Sequence, residues 1–169
     1  IHVISSSQKG DREIYNNRRV TTTNFIERYA GNLIESYVFY GRSSTFFQTE
    51  PGQKVPDDAL RPRANFLFLE NLNNHVELVE GTTRKTAQPG QKGDPHPTID
   101  VWRSEQGASD LNVTVGETFE LHPFWIKNIA PLKIKIAGVV RPKNPDADFW
   151  FKHAGDLTLA TTRWPTYIY

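Results

Sequence analysis

The chain has 169 residues, 20 basic against 19 acidic side chains, a formal net charge of +1 and 37% apolar residues. That is enough for one domain with a core of its own, or for two small lobes. The near balance of charge argues against a dedicated nucleic-acid or membrane-surface binder, which carries a clustered basic excess. The absence of cysteine removes disulfides, thiolate metal sites and cysteine nucleophiles together.

No stretch approaches the roughly 18 consecutive apolar residues of a membrane-spanning helix, and no signal peptide is recognisable. Met is absent throughout. With the missing start residue, this reads as a domain excised from a longer protein.

In chain order, Ile1 to Ser7 reads as a short strand or a frayed end, and the polar run Lys9 to Arg19 as a loop. Thr21-Thr22-Thr23-Asn24 offers N-cap candidates. Behind them Phe25, Ile26, Tyr29, Leu33 and Ile34 recur on one helical face, which Gly31 weakens or ends. Glu35 to Tyr40 is aromatic and β-rich, a strand closed by Gly41. Thr49 to Arg63, with three prolines and a glycine, is a surface loop. Asn65 to Leu69 is a short buried strand. Leu72, Val76 and Val79 fall at i, i+4 and i+7 and predict a short helix over Asn71 to Val79, closed by Gly81 as a left-handed C-terminal residue.

Thr82 to Pro97 carries three prolines and two glycines and predicts a mobile loop. Thr98 to Arg103 alternates like a strand, and Ser104 to Leu111 reads as a short helix or turn. Asn112 to Leu121 reads as two strand pieces around Gly116-Glu117, followed by a wide aromatic connection from His122 to Pro131. Leu132, Ile134 and Ile136 alternate with Lys133 and Lys135, the clearest period-two pattern in the chain. Leu157, Leu159 and Trp164 lead to an extended C-terminus. The sum is an α+β fold of six to eight short strands, mixed or antiparallel, with two or three helices.

Catalytic and metal motifs are sparse. His2, His75, His96, His122 and His153 show no i, i+4 pair and no H-E-x-x-H. No serine sits in a G-x-S-x-G elbow, and PGQKGDP lacks the Ser/Thr, strand and helix of a phosphate loop. Asp146 and Asp148, two apart beside Arg141 and Lys143, are candidates for calcium or acid–base work. The plainer reading is turn chemistry, since Asn and Asp bond their own backbone. Trp102, Trp125 and Trp150 are candidates for a glycan or lipid platform, with core packing as the alternative. No cofactor site is indicated.

Three segments carry a resemblance. FLFLENLNNHVELVEG (Phe66 to Gly81) resembles the strand–helix stretch ending in a V-x-L-V-x-G turn in the extracytoplasmic core domains of FtsX-like and MacB-like ABC transporter permeases. DLNVTVGETFEL (Asp110 to Leu121) is similar to their VGD element, with Glu117 in place of the usual Asp. LKIKIAGVVRPKNPDADFWF (Leu132 to Phe151) resembles their strand and proline-pinned corner ending in Trp. The order and approximate spacing match over about half of the chain. The resemblance implies a MacB-like periplasmic core architecture, inserted between membrane helices of a permease. It implies an extracellular or periplasmic location and no catalytic, cofactor or metal residues. Its partners would be the rest of the permease, a separate cytoplasmic ABC ATPase, and an extracytoplasmic substrate or protein, with no nucleic acid.

On this reading Leu132 to Phe151 is a stiff scaffold corner. Gly138 ends the strand, and Pro142 and Pro145 stiffen the turn. Asn144, Asp146 and Asp148 cap it, and Phe149 to Phe151 pin it to the core. Trp102, Trp125, Arg141, Asp146, Asp148 and Trp150 are its candidate interaction or structural residues. A free-standing glycan- or lipid-binding module using surface Trp residues is the alternative.

Overall fold

The computed structural model describes residues 12–34, 37–55, 62–83, 98–123, 125, 129–150 and 166–168. The chain divides into two compact units, Ile1–Tyr37 and Val38–Tyr169. In the first, α1 runs from Arg12 to Ala30 and a 3-10 turn follows over Gly31–Leu33. The loop expected up to Arg19 is therefore helix from Arg12 onward, and Thr21 to Asn24 lie mid-helix rather than at a cap. Polarity misled the reading. No Gly or Pro interrupts Arg12 to Ala30, and Ile14 and Tyr15 extend the Phe25, Ile26 and Tyr29 face toward the N-terminus at helical spacing.

The second unit is β-rich. Its strands are β1 (Tyr40–Arg42), β2 (Phe46–Thr49), β3 (Arg63–Leu69), β4 (Val76–Gly81), β5 (Ile99–Ser104), β6 (Thr118–Pro123), β7 (Leu132–Pro142) and β8 (Thr166–Ile168). Two short helices, α2 (Leu72–His75) and α3 (Glu105–Asp110), interrupt them. With α1 this is the mixed α+β class read from the sequence. Several local expectations change. Gly41 lies inside β1, and β2 was not anticipated. The helix expected over Asn71 to Val79 is one turn only, because Val76 onward pairs with β7. Val113 and Val115 sit outside any strand, so only the second piece around Gly116-Glu117 is β structure. The mobile loop expected over 82–97 lies outside the described residues from 84 onward, as does 151–165.

Strand pairing follows the order β1-β3-β2-β6-β7-β5-β8, and β8 also pairs with β3. The path β3-β2-β6-β7-β5-β8 thus returns to β3 and the sheet closes on itself, which removes free edges from those six strands. The β5–β7 and β3–β8 pairs are parallel and the others antiparallel.

β7 organises the unit. β5 pairs with it from Ile134 to Val140. A strand has two edges, so β6 and β4 share the other one: β6 along Leu132 to Lys135, β4 along Gly138 to Pro142. Between them Gly116 N donates to the Ile136 carbonyl at 2.8 Å, and Ile136 N donates to the Glu117 carbonyl at 2.9 Å. Thr82 N donates to the Ala137 carbonyl at 2.9 Å. Register shifts at Ala137 against β5 and at Val79 against β7 mark bulges. Before the first bulge the strand alternates, with Ile134 and Ile136 fully buried and Lys133 and Lys135 exposed. After it every residue to Val140 is buried.

Two apolar clusters result. Ile134, Ile136, Val101, Leu121, Phe46 and Ala64 form one, with Val113 closing it from the turn. Leu67, Leu69, Leu72, Val76, Trp102, Val140 and Trp150 form the other. The closed sheet also holds a polar contact: Arg103 on β5 is fully buried, and its Nη2 donates to Gln48 Oε1 on β2 at 2.7 Å. A guanidinium out of water needs such acceptors to offset its desolvation.

Gly138 does not end β7, which continues to Pro142. It marks instead where β4 crosses closely. A Cβ there would lie 2.7 Å from Leu78 Cδ1 and 3.0 Å from the Glu80 carbonyl. Facing it, Gly81 has φ +91, and a Cβ on it would overlap the Ala137 carbonyl. Overpacking costs about 1–3 kcal/mol, and backbone cannot move aside as a side-chain end does. Gly81→Ala should therefore lower the urea midpoint more than Gly138→Ala, with the m-value unchanged in both. Equal midpoints to wild type would contradict the close crossing.

Candidate functional site

The Leu132 to Phe151 segment leaves β7 at Pro142 and turns back through a 3-10 turn at Asp148–Trp150. The turn is tied in steps. Asp146 N donates to Asn144 Oδ1 at 3.1 Å, the side-chain-to-backbone bond that Asn forms in turns. Ala147 N reaches the Asn144 carbonyl at 3.2 Å, and Trp150 N reaches the Ala147 carbonyl at 3.1 Å. The Trp150 indole N–H donates to the Asn144 carbonyl at 2.8 Å, so the ring buries without leaving its polar atom unpaired. Of the three expected caps, Asn144 acts as one, whereas Asp146 and Asp148 are exposed and show no such side-chain bond among the described residues.

α2 and β4 clamp this corner from the other side. Lys143 N donates to the His75 carbonyl at 2.9 Å and Lys143 Nζ to the Asn74 carbonyl at 3.1 Å. The His75 ring stacks on Phe149 with centroids 3.5 Å apart and planes 3° apart, and Trp150 meets Phe149 edge-on at 4.9 Å. His75 is therefore half-buried beneath the corner.

Arg141 joins three elements at the surface. Its Nε donates to Glu77 Oε1 on β4, and its Nη1 lies 3.8 Å from Glu105 Oε1 at the start of α3. The Glu77 hydrogen bond and charge, with Glu105 behind them, raise the Arg141 pKa above its ordinary value. A basic group with a raised folded pKa is fully charged below its unfolded value, and its contribution is lost only as pH rises through the folded one. Arg141 therefore adds no pH dependence at neutral or acidic pH. Beside it lies an open cleft of about 300 Å³ lined by Ser104, Glu105, Gln106, Ser109, Val140, Arg141 and Pro142. Ser104 caps α3, its Oγ accepting from Gly107 N at 3.1 Å.

The candidate residues from the sequence separate. Trp102 and Trp150 are buried, 4% and 2% exposed, in the same apolar cluster. The Trp102 indole N–H donates to the Thr82 carbonyl at 3.0 Å. Trp125 is exposed and packs edge-on against Phe46, in contact with the other cluster. The three tryptophans therefore form no common exposed platform. Arg141, Asp146 and Asp148 are all exposed. Among the described residues no three His, Asp or Glu side chains come together as metal ligands. Glu77, Glu105 and His75 are the partners that sequence reasoning missed. Each depends on α2, β4 or α3 folding against the end of β7, and spacing along the chain does not show that.

Compared with known proteins, the chain matches no family model and no curated protein.

Two substitutions separate the buried and exposed parts of the corner. Trp150→Ala removes a buried indole with its hydrogen bond and should cost about 3–5 kcal/mol of stability. Arg141→Gln breaks ion pairs that are open to solvent and should leave the urea midpoint near wild type. A large loss for Arg141→Gln with little for Trp150→Ala would reverse this assignment.

Proposed function

We propose that this chain is the extracytoplasmic domain of an FtsX- or MacB-like ABC transporter permease, of MacB-like periplasmic core architecture. One observation carries the reading. The three segments that resemble that family are neighbours in space as well as in order. Val76–Gly81 of the first and Gly116–Leu121 of the second lie end to end along one edge of the third, hydrogen-bonded to it from Leu132 to Pro142. Separate chance matches would have no reason to converge on one strand.

In this reading the domain performs no catalysis. ATP turnover belongs to a separate cytoplasmic ATPase, and the domain contacts an extracytoplasmic substrate or protein partner while relaying the transport cycle. The geometry supports a relay. The corner is tied to α2 by the two Lys143 hydrogen bonds and to itself by the Trp150 indole bond to Asn144, so a push on its exterior reaches the β7 core without being absorbed by a soft turn. A relay of this kind works through contacts that differ between two transporter states.

These 169 residues hold no cysteine, so the domain itself gives no background label. Single cysteines placed at the exposed Lys133 and Glu50 of the full-length protein should react with a membrane-impermeant maleimide in intact cells, and an ABC ATPase should co-purify with the protein. Labelling only after lysis, or purification without any ATPase, would remove the proposal.

A further inference from the structure

Asn112-Val113-Thr114 is the one Asn-x-Ser/Thr triplet in the chain, the acceptor signature of N-linked glycosylation. The triplet alone is common by chance. An acceptor must also keep its asparagine amide, and the hydroxyl two residues on, open to an enzyme. The triplet lies in the connection between α3 and β6, outside helix and strand. Asn112 and Thr114 are exposed, whereas Val113 between them is 8% exposed and closes the Ile134–Ile136 cluster. The one apolar side chain goes to the core and both polar ones stay in water. Among the described residues, neither the Asn112 amide nor the Thr114 hydroxyl makes a hydrogen bond. Thr114 is held through its backbone, its N–H donating to Glu117 Oε2 at 3.0 Å.

The turn itself does not demand these residues. Asn112 has φ +50, the left-handed conformation taken just past a helix end, and its N–H donates to the Ser109 carbonyl at 3.1 Å. Glycine suits that conformation at least as well. Nothing in such a turn calls for a hydroxyl two residues later or for a carboxylate two residues earlier. Asp110 supplies that carboxylate and is exposed, with Gln106 Nε2 donating to its Oδ1 at 2.6 Å. Asp110 to Thr114 therefore reads Asp-x-Asn-x-Thr, the longer acceptor sequence used by bacterial oligosaccharyltransferases.

The chemistry is a substitution at an anomeric carbon. The Asn112 amide nitrogen attacks C1 of a saccharide carried on a polyprenyl pyrophosphate. The C1–N bond forms, the bond from C1 to the pyrophosphate oxygen breaks, the amide gives up one proton, and the lipid pyrophosphate leaves. An amide lone pair is delocalised into its carbonyl, so the transferase must hold the nitrogen in place, and the Thr114 hydroxyl gives it a handle. Presenting the triplet opens a turn and leaves the closed sheet intact, because β6 begins only at Thr118.

We propose that Asn112 is the acceptor of an N-linked oligosaccharide, with Asp110 and Thr114 as the flanking residues that the transferase recognises. The site goes beyond the function proposed above. It rests on that function only in bringing the domain to the outer side of the membrane, where the transfer takes place.

The test incubates the 169-residue chain with a purified bacterial oligosaccharyltransferase and its polyprenyl-pyrophosphate-linked oligosaccharide, and reads intact mass. The mass of a single glycan should be gained, and peptide mapping should place it on Asn112. Asn112→Gly, which the left-handed turn accepts, should abolish the gain, as should Thr114→Val and Asp110→Ala, while Thr114→Ser should retain it. Wild-type urea midpoints would show that the variants still fold. No gain on the wild-type chain, or a gain that survives any of the three abolishing variants, would overturn the proposal. Maleimide labelling from outside with no transfer to the chain removes this proposal alone. Transfer to the chain with labelling only after lysis removes the permease reading and leaves the acceptor site standing.

Discussion

The second unit depends on how β7 shares out its two edges. One is taken by a parallel strand, β5, across most of its length. The other must then serve both β6 and β4. They lie end to end along it, with register shifts at Ala137 against β5 and at Val79 within β4, and at Gly81 and Gly138 β4 and β7 come too close for a side chain. The same bulge switches β7 from a half-buried strand to a fully buried one. The corner beyond Pro142 inherits its position from that point, because α2 and β4 hold it from beneath.

Overall composition says nothing of how charge is distributed along the chain. A net charge near zero is an average. It conceals a basic helix, α1, and a slightly acidic remainder, and interactions are governed by where charge sits. The first unit also shows the limit of polarity as a guide. Arg12 to Arg19 looks like a loop by composition, yet it continues the helical face begun at Phe25.

What was legible was whatever a local period determines. Leu132 to Ile136 alternated and became the start of β7, and Thr98 to Arg103 became β5 almost residue for residue. What was not legible was set by partners distant in sequence. Leu72, Val76 and Val79 satisfy a helical spacing as well as they satisfy a single turn followed by a strand, and only the free edge of β7 decides between the two. Phe46 and Phe47 carry a strand too short to announce itself. At the corner, Asn144, Pro145 and the aromatic run were readable as a turn pinned to the core. The contacts to Glu77 and His75 were not, because they follow from the misread helix, and the approach of Glu105 on α3 depends on packing between elements distant in sequence.

The resemblance and the fold meet at the same place. The segments that carry the proposed family likeness are those that assemble on β7, and the proposed relay would depend on that assembly. Amide hydrogen exchange tests this most directly. The Ile134 to Val140 amides, with those of β4 and β6 bonded to them, should exchange together, more slowly than any in α1, and only through opening of the whole unit. Independent, fast exchange of β4 while β6 stays protected would show that the shared edge does not bind the three segments into one body, and the account built on β7 would fail.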